Sequence, residues 1–155
     1  FFYYDFVNNV NDLCNKYLSE SSRHKIIFEI TESVIAEDVD SVIQIMNEVG
    51  KLGIRFSMDD FGTGYSSLSY LKRLPISEIK IDRSFISEID KEENDQMMVH
   101  SILNMANHFD LSVVAEGIET TEQFNFLKAN KCELYQGFLF SKPVTKDEFM
   151  TLFRQ

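Results

Sequence analysis

Apolar and polar positions repeat along this chain with two different periods, and the switches between them outline its elements. Lys25 to Ile30 (KIIFEI) is a short apolar run suited to a buried strand. From Asp38 to Leu52, Val39, Val42, Ile43, Met46 and Val49 recur at helical spacing, and Gly53 closes the segment. Ile54 to Asp59 is again strand-like. Ser66 to Arg73 predicts a short helix stopped before Pro75, and Glu78 to Asp82 (EIKID) alternates with period two. Asn94 to Phe109 lines up Met98, Ile102, Met105, Ala106 and Phe109 on one helical side. Leu111 to Glu116 predicts a fourth strand, Thr121 to Ala129 a helix, Glu133 to Gln136 a short fifth strand, and Lys146 to Phe153 a closing helix. A helix at about Asp5 to Tyr17 precedes them all, so a β-α unit repeats about five times.

Short apolar strands alternating with amphipathic helices predict a parallel sheet covered by helices, either doubly wound or part of a βα barrel. The polar residues favour the barrel. Glu29, Asp59, Lys80 with Asp82, Glu116 and Gln136 each fall at or just past the C-terminal end of a successive strand, where barrel enzymes assemble their sites. Period two puts Ile27 with Glu29, Ser57 with Asp59, Lys80 with Asp82, Val114 with Glu116 and Leu134 with Gln136 on the interior face. Phe28, Ile30, Phe56, Met58, Ile79, Ile81, Val113 and Ala115 are then left to pack beneath outer helices.

Within that frame the run from Ser57 to Tyr65 (SMDDFGTGY) carries the most chemistry. Two adjacent ionised carboxylates repel by roughly 4 kcal/mol at 4 Å in a medium of effective dielectric about 20, so Asp59 and Asp60 call for a cation or ample water. A divalent metal site and a solvated Asp-Gly turn both answer that demand. Convergence of the pair requires the strand to end between them, with Gly62 and Gly64 supplying the turn. The lysine of a nucleotide P-loop is missing after these glycines. A site built from carboxylate oxygens of this kind suits magnesium or manganese.

Composition narrows the function classes. A chain of 155 residues with 44% hydrophobic content suits one domain with a sizeable core. A formal net charge of -10 opposes binding of long nucleic acids through their phosphates. No apolar run approaches the roughly 20 residues that span a bilayer, and no signal peptide is visible, so a cytoplasmic location is expected, with a membrane anchor upstream left open. Cys14 and Cys132 form no close motif, which suits a reducing compartment. His24, His100 and His108 stand at unrelated spacings and read as surface or helix-end residues, and the acidic run Glu88 to Asp95 as a solvated helix start. Met97, Met98 and Met105 read as core or partner-facing filler, and Tyr65, Leu68, Tyr70 and Leu71 as a subunit contact or core packing.

Five segments together, FEITES (Phe28 to Ser33), MDDFGTGYSSLSYL (Met58 to Leu71), IKIDRSFI (Ile79 to Ile86), VVAEGIE (Val113 to Glu119) and YQGFLFSKP (Tyr135 to Pro143), resemble the EAL-domain family of bacterial cyclic-di-GMP phosphodiesterases in order and spacing. The resemblance implies a TIM-type βα barrel and a two-metal site. It makes Glu29 a metal ligand, Asp59 the bridge between two ions, and Asp60 a ligand of the second. Lys80 then helps hold the attacking water and the phosphate, and Glu116 activates water or supports the second metal. Glu32 anchors the glycine loop, Glu119 and Gln136 lie near the substrate or its waters, and Asp82 supports the lysine. Two hard cations would neutralise the phosphoryl oxygens and lower the pKa of bound water.

The chain departs from the family in one respect: its naming tripeptide, which carries a ligating glutamate, occurs nowhere between Phe1 and Gln155, nor does the strand with a ligating asparagine. Such barrels run to about 250 residues. The expectation is therefore a single partial domain over 1–155, an incomplete barrel without its N-terminal strands, with weak or absent hydrolysis on its own. Its open sheet edges predict a homo-oligomer or domain-swapped assembly. An upstream sensor or GGDEF-type domain is a further expected partner. Two alternatives remain at this point: a non-catalytic module that binds cyclic di-GMP or a protein, and an enolase-like metal enzyme with Lys80 as base.

Overall fold

The computed structural model describes residues 2–64 and 71–152, the side chains of 2–4, 36 and 37 excepted. In chain order the elements are α1 (Phe2–Tyr17), α2 (Glu20–Arg23), β1 (Ile27–Thr31), α3 (Glu32–Glu37), α4 (Val39–Gly50), β2 (Arg55–Phe61) and β3 (Glu78–Ile81). They continue as α5 (Arg83–Ile86), α6 (Glu93–His108), β4 (Ser112–Glu116), α7 (Thr121–Ala129), β5 (Leu134–Gln136) and α8 (Lys146–Leu152). The expected strands and long helices are all present within a few residues of their predicted ends. The short helices α2, α3 and α5, of four to six residues, were not expected, being too short to show a period. The helix expected at Ser66 to Arg73 lies mostly outside the described residues, as do Tyr65, Leu68 and Tyr70, while Leu71 is buried.

All strand pairs are parallel and the sheet order is β1-β2-β3-β4-β5. A doubly wound sheet reverses direction at a switch point, whereas consecutive barrel strands do not, so the monotonic order is that of a βα barrel. The α/β class and the partial barrel are thus those expected from the sequence.

The outward faces of the strands bury Phe56, Met58, Ile79, Ile81 and Ala115, joined by Met46 and Val49 of α4 and Val99, Ile102 and Ala106 of α6. Helix α4 starts where the Asp38 carboxylate accepts the Ser41 N–H at 3.2 Å, an N-cap that satisfies a donor with no partner inside the helix. Helix α7 starts with a full capping box between Thr120 and Gln123. Met97 and Met98 are exposed on α6 rather than in the core, because they fall off its buried stripe. His24, His100 and His108 are exposed, and the acidic run is solvated apart from buried Ile89. Among the described residues, no helix is long and apolar enough to cross a membrane.

Candidate active site

Four neighbouring strands deliver one ammonium and three carboxylates to a single point. Lys80 comes from β3, whose four residues are all buried, and its Nζ lies 2.9 Å from Glu29 Oε1, 3.0 Å from Asp59 Oδ1 and 2.8 Å from Glu116 Oε1. Register explains the reach. Thr31 pairs with Asp59 and Lys80 with Val114, so Glu29 stands two residues short of Asp59's level and Glu116 two residues beyond that of Lys80. Positions two apart share a face, and the long lysine stem spans the levels. The Lys80 side chain is 8% exposed and that of Glu29 53%. Burial on its own would push the lysine pKa down, but the contacts with Glu116, Glu29 and Asp59 outweigh it and hold the ammonium well above the usual lysine range.

Asp59 and Asp60 reach the same rim by a route the sequence did not show. The strand does not end between them: β2 runs on to Phe61, and its register against β3 shifts between Met58 and Phe61. Asp60 takes a left-handed φ of 53°, so the bulge turns the second carboxylate back towards the mouth. Partial desolvation, then the charges of Asp59 and Asp82, raise the Asp60 pKa, and its side chain shares a hydrogen bond with Asp82. Asp82 lies below the ordinary carboxylate range: its own desolvation is outweighed by Ser84, Arg83 and Asp60. The ion pairs of Lys80 run to the other three carboxylates, and Asp82 caps α5 by accepting the Ser84 N–H at 2.9 Å. The short helix that it caps is too brief to show a period in the sequence.

Glu32 and Gln123 fix the loops around this rim. Glu32 Oε1 accepts the Gly62 N–H at 3.0 Å, tying the start of α3 to the glycine loop. Gln123, buried on α7, accepts the N–H groups of Glu119 and Thr120 at 2.8 and 3.0 Å and donates to the Ser87 carbonyl at 3.1 Å. It thereby joins the β4–α7 loop to the end of α5. Sequence reasoning missed Gln123, although the Thr120-x-x-Gln123 spacing before an apolar run is a capping-box signature.

Beside the cluster opens a cleft of about 940 Å³. Glu116, Glu119 and Gln136 face it from the strand ends; Arg83, Lys142 and Lys146 bring positive charge, and Phe138 and Phe149 apolar wall. The six expected site residues Glu29, Asp59, Asp60, Lys80, Asp82 and Glu116 form the ionic cluster and its margin, whereas Glu119 and Gln136 belong to the cleft and Glu32 to the loop beneath. The cations of the cleft gave no signal in the sequence because Arg83 and Lys142 are far apart along the chain.

The donor chemistry fits a hard divalent ion. With all three ionised, Glu29, Asp59 and Glu116 leave an excess of negative charge around one ammonium, and every donor is an oxygen. Asp59 Oδ1 is shut off from solvent and has no hydrogen bond among the described residues, while its ion pair with Lys80 is 3.0 Å long. Among the described residues no three carboxylate, imidazole or thiol groups are arranged to hold an ion as they stand. Lys80 Nζ holds their centre.

Comparison with known proteins agrees with this fold. The sequence pattern of the EAL domain matches residues 4–143. The cyclic di-GMP phosphodiesterase NbdA of Pseudomonas aeruginosa is 45% identical over 129 residues, which are 81% of this chain and 16% of that protein. The cyclic di-GMP complex of the PaMucR phosphodiesterase superposes with a TM-score of 0.83 at 41% identity, covering 90% of this chain and 55% of that one. A manganese and cyclic di-GMP complex of Klebsiella pneumoniae BlrP1 gives 0.77 at 31% identity, covering 86% and 33%. The chain therefore spans about a sixth of the length of the curated relative and about half or less of the two solved chains.

Proposed function

Because this chain belongs to the EAL domain family, we propose that it forms one side of a divalent-metal-dependent site that hydrolyses cyclic di-GMP to linear pGpG. The observation that carries this reading is the gathering of Glu29, Asp59 and Glu116 around Lys80 at the mouth of the sheet, beside a cationic cleft. Glu29, Asp59 and Asp60 would hold magnesium or manganese, which neutralises phosphoryl charge and makes bound water a competent nucleophile. Lys80 binds the anionic phosphate and orients the water, and Glu116 accepts its proton. The water oxygen bonds to phosphorus, the bond to the ribose 3′ oxygen breaks, and that oxygen takes a proton from solvent and leaves as a hydroxyl. Arg83, Lys142 and Lys146 draw the second phosphate towards the cleft, while Glu119 and Gln136 face the nucleotide and Glu32 holds the glycine loop in register. The family membership displaces the enolase-like alternative.

The position of Lys80 at the centre of the three carboxylates favours a second reading, in which this chain binds cyclic di-GMP or a protein without turning it over. Both readings include a cytoplasmic setting, a partial domain over 1–155 that assembles with a second copy or a swapped element, and sensor or GGDEF-type domains upstream. Nucleotide chromatography after incubation with cyclic di-GMP and Mn²⁺ separates them. Slow pGpG formation that Glu116→Gln abolishes supports hydrolysis, metal-dependent binding without product supports the second reading, and no binding with or without metal defeats both.

A further inference from the structure

The metal reading just given is the premise for a second role of Lys80. Its Nζ lies 2.8 to 3.0 Å from one carboxylate oxygen on each of three different strands, so a single positive charge serves three negative groups. Removal of that charge would leave Glu29, Asp59 and Glu116 facing one another with no other cation at their centre among the described residues. We propose that Lys80 is a built-in counter-cation that holds these carboxylates together while no divalent ion is bound, and that an ion binds by taking carboxylates away from it.

Three features support the exchange. The backbone beneath Lys80 is fixed, since Ile79 and Ile81 are fully buried, so only the four-carbon stem has to move. A lysine ammonium is a compact charge on a flexible stem, able to swing aside where a planar guanidinium fork would hold on. Glu29 is the most exposed of the three carboxylates, at 53% against 23% for Asp59 and 17% for Glu116, and is the one an arriving ion meets first. Occupation of the centre by Nζ also accounts for the lack, among the described residues, of three such groups arranged to hold an ion as they stand. The role is a positioning one, additional to any contact with substrate.

Calorimetric titration of wild type and Lys80→Met with Mn²⁺ tests it without reference to turnover. The variant is expected to bind Mn²⁺ about tenfold more tightly or better, the order of effect of one competing charge at contact distance. Its metal-free melting temperature falls and recovers on loading. Equal or weaker binding by the folded variant, with the wild type binding normally, overturns the proposal and leaves the metal reading intact; no binding by either protein overturns both. If Lys80→Met does not fold, the wild type decides. Acylation of Lys80 by an amine-directed reagent, followed by mass spectrometry against Lys51 as internal standard, rises as Mn²⁺ saturates the site, and unchanged acylation overturns the proposal.

Discussion

Gly64 lies directly against the carboxylate of Glu32: a Cβ on Gly64 would stand 2.3 Å from Glu32 Oε2 and 3.3 Å from Glu32 Cβ. The other oxygen of the same carboxylate holds the Gly62 N–H at 3.0 Å, so one side chain depends on both glycines of the loop. Among the described residues Oε2 is buried without a hydrogen bond, which shows how closely the loop is pressed onto it. Gly64→Ala is expected to swing Glu32 away and release Gly62, at a cost of about 1–3 kcal/mol. Glu32→Ala loses the same bond and also removes the obstacle, so the double variant should cost clearly less than the sum of the two in urea melts. Additive losses would show that the contact does not organise the loop.

Gly137 is packed against backbone rather than against a side chain, and a Cβ there would fall 2.0 Å from the Ile118 carbonyl oxygen and 2.3 Å from its nitrogen. Ile118 N donates to Gln136 O at 3.1 Å and Leu139 N to Ile118 O at 3.0 Å, so displacement would break the link between the β4–α7 loop and β5. Gly137→Ala should therefore destabilise by more than about 2 kcal/mol, or prevent folding. Gly50 on α4 is the control, since a Cβ added there would meet nothing within 4 Å. Gly50→Ala should raise stability by about 0.4–1 kcal/mol through the unfolded chain. Equal melting temperatures for the two variants would contradict both assignments.

Gln123 satisfies two backbone donors and one acceptor from a buried position. Gln123→Leu keeps the volume but leaves those groups unpaired, and chemical denaturation should show a loss of about 2–4 kcal/mol. The same change should loosen the cleft, because Glu119 sits in its wall. A variant as stable as wild type would mean that the loop finds other partners.

The sequence made the strands and their facing legible because hydrophobic alternation is fixed by burial, and burial is what period two records. Glu29, Asp59, Lys80 and Glu116 could be placed on one rim for that reason, before any distance was known. What stayed hidden depends on local departures from regular backbone or on contacts between distant segments. The bulge at Asp60 is of the first kind, since nothing in Asp-Asp-Phe-Gly tells a strand that ends from one that turns back through a left-handed residue. The partnership of Asp82 with Ser84 and Asp60, and of Gln123 with Ser87, is of the second kind. The cluster's centre could not be foreseen either: a row of carboxylates suggests an ion, yet Lys80 occupies the middle of theirs.

Asp38 couples the stability of α4 to pH. Hydrogen bonds from the Ser41 hydroxyl and backbone N–H hold the Asp38 pKa below its usual value, with a small opposing contribution from desolvation. Because the folded pKa is the lower of the two, the folded state binds the proton less readily than the unfolded chain. The cap's contribution is then complete above the unfolded carboxylate pKa of about 3.9 and drains away as the pH falls through the folded value. Asp38→Asn keeps a side-chain oxygen at the N-cap but has nothing to titrate. Melting temperatures measured from pH 6 down to pH 3 should therefore fall less steeply for Asp38→Asn than for wild type, and the two curves should approach each other at the acid end. Parallel curves over that range would show that the cap does not depend on the charge of Asp38.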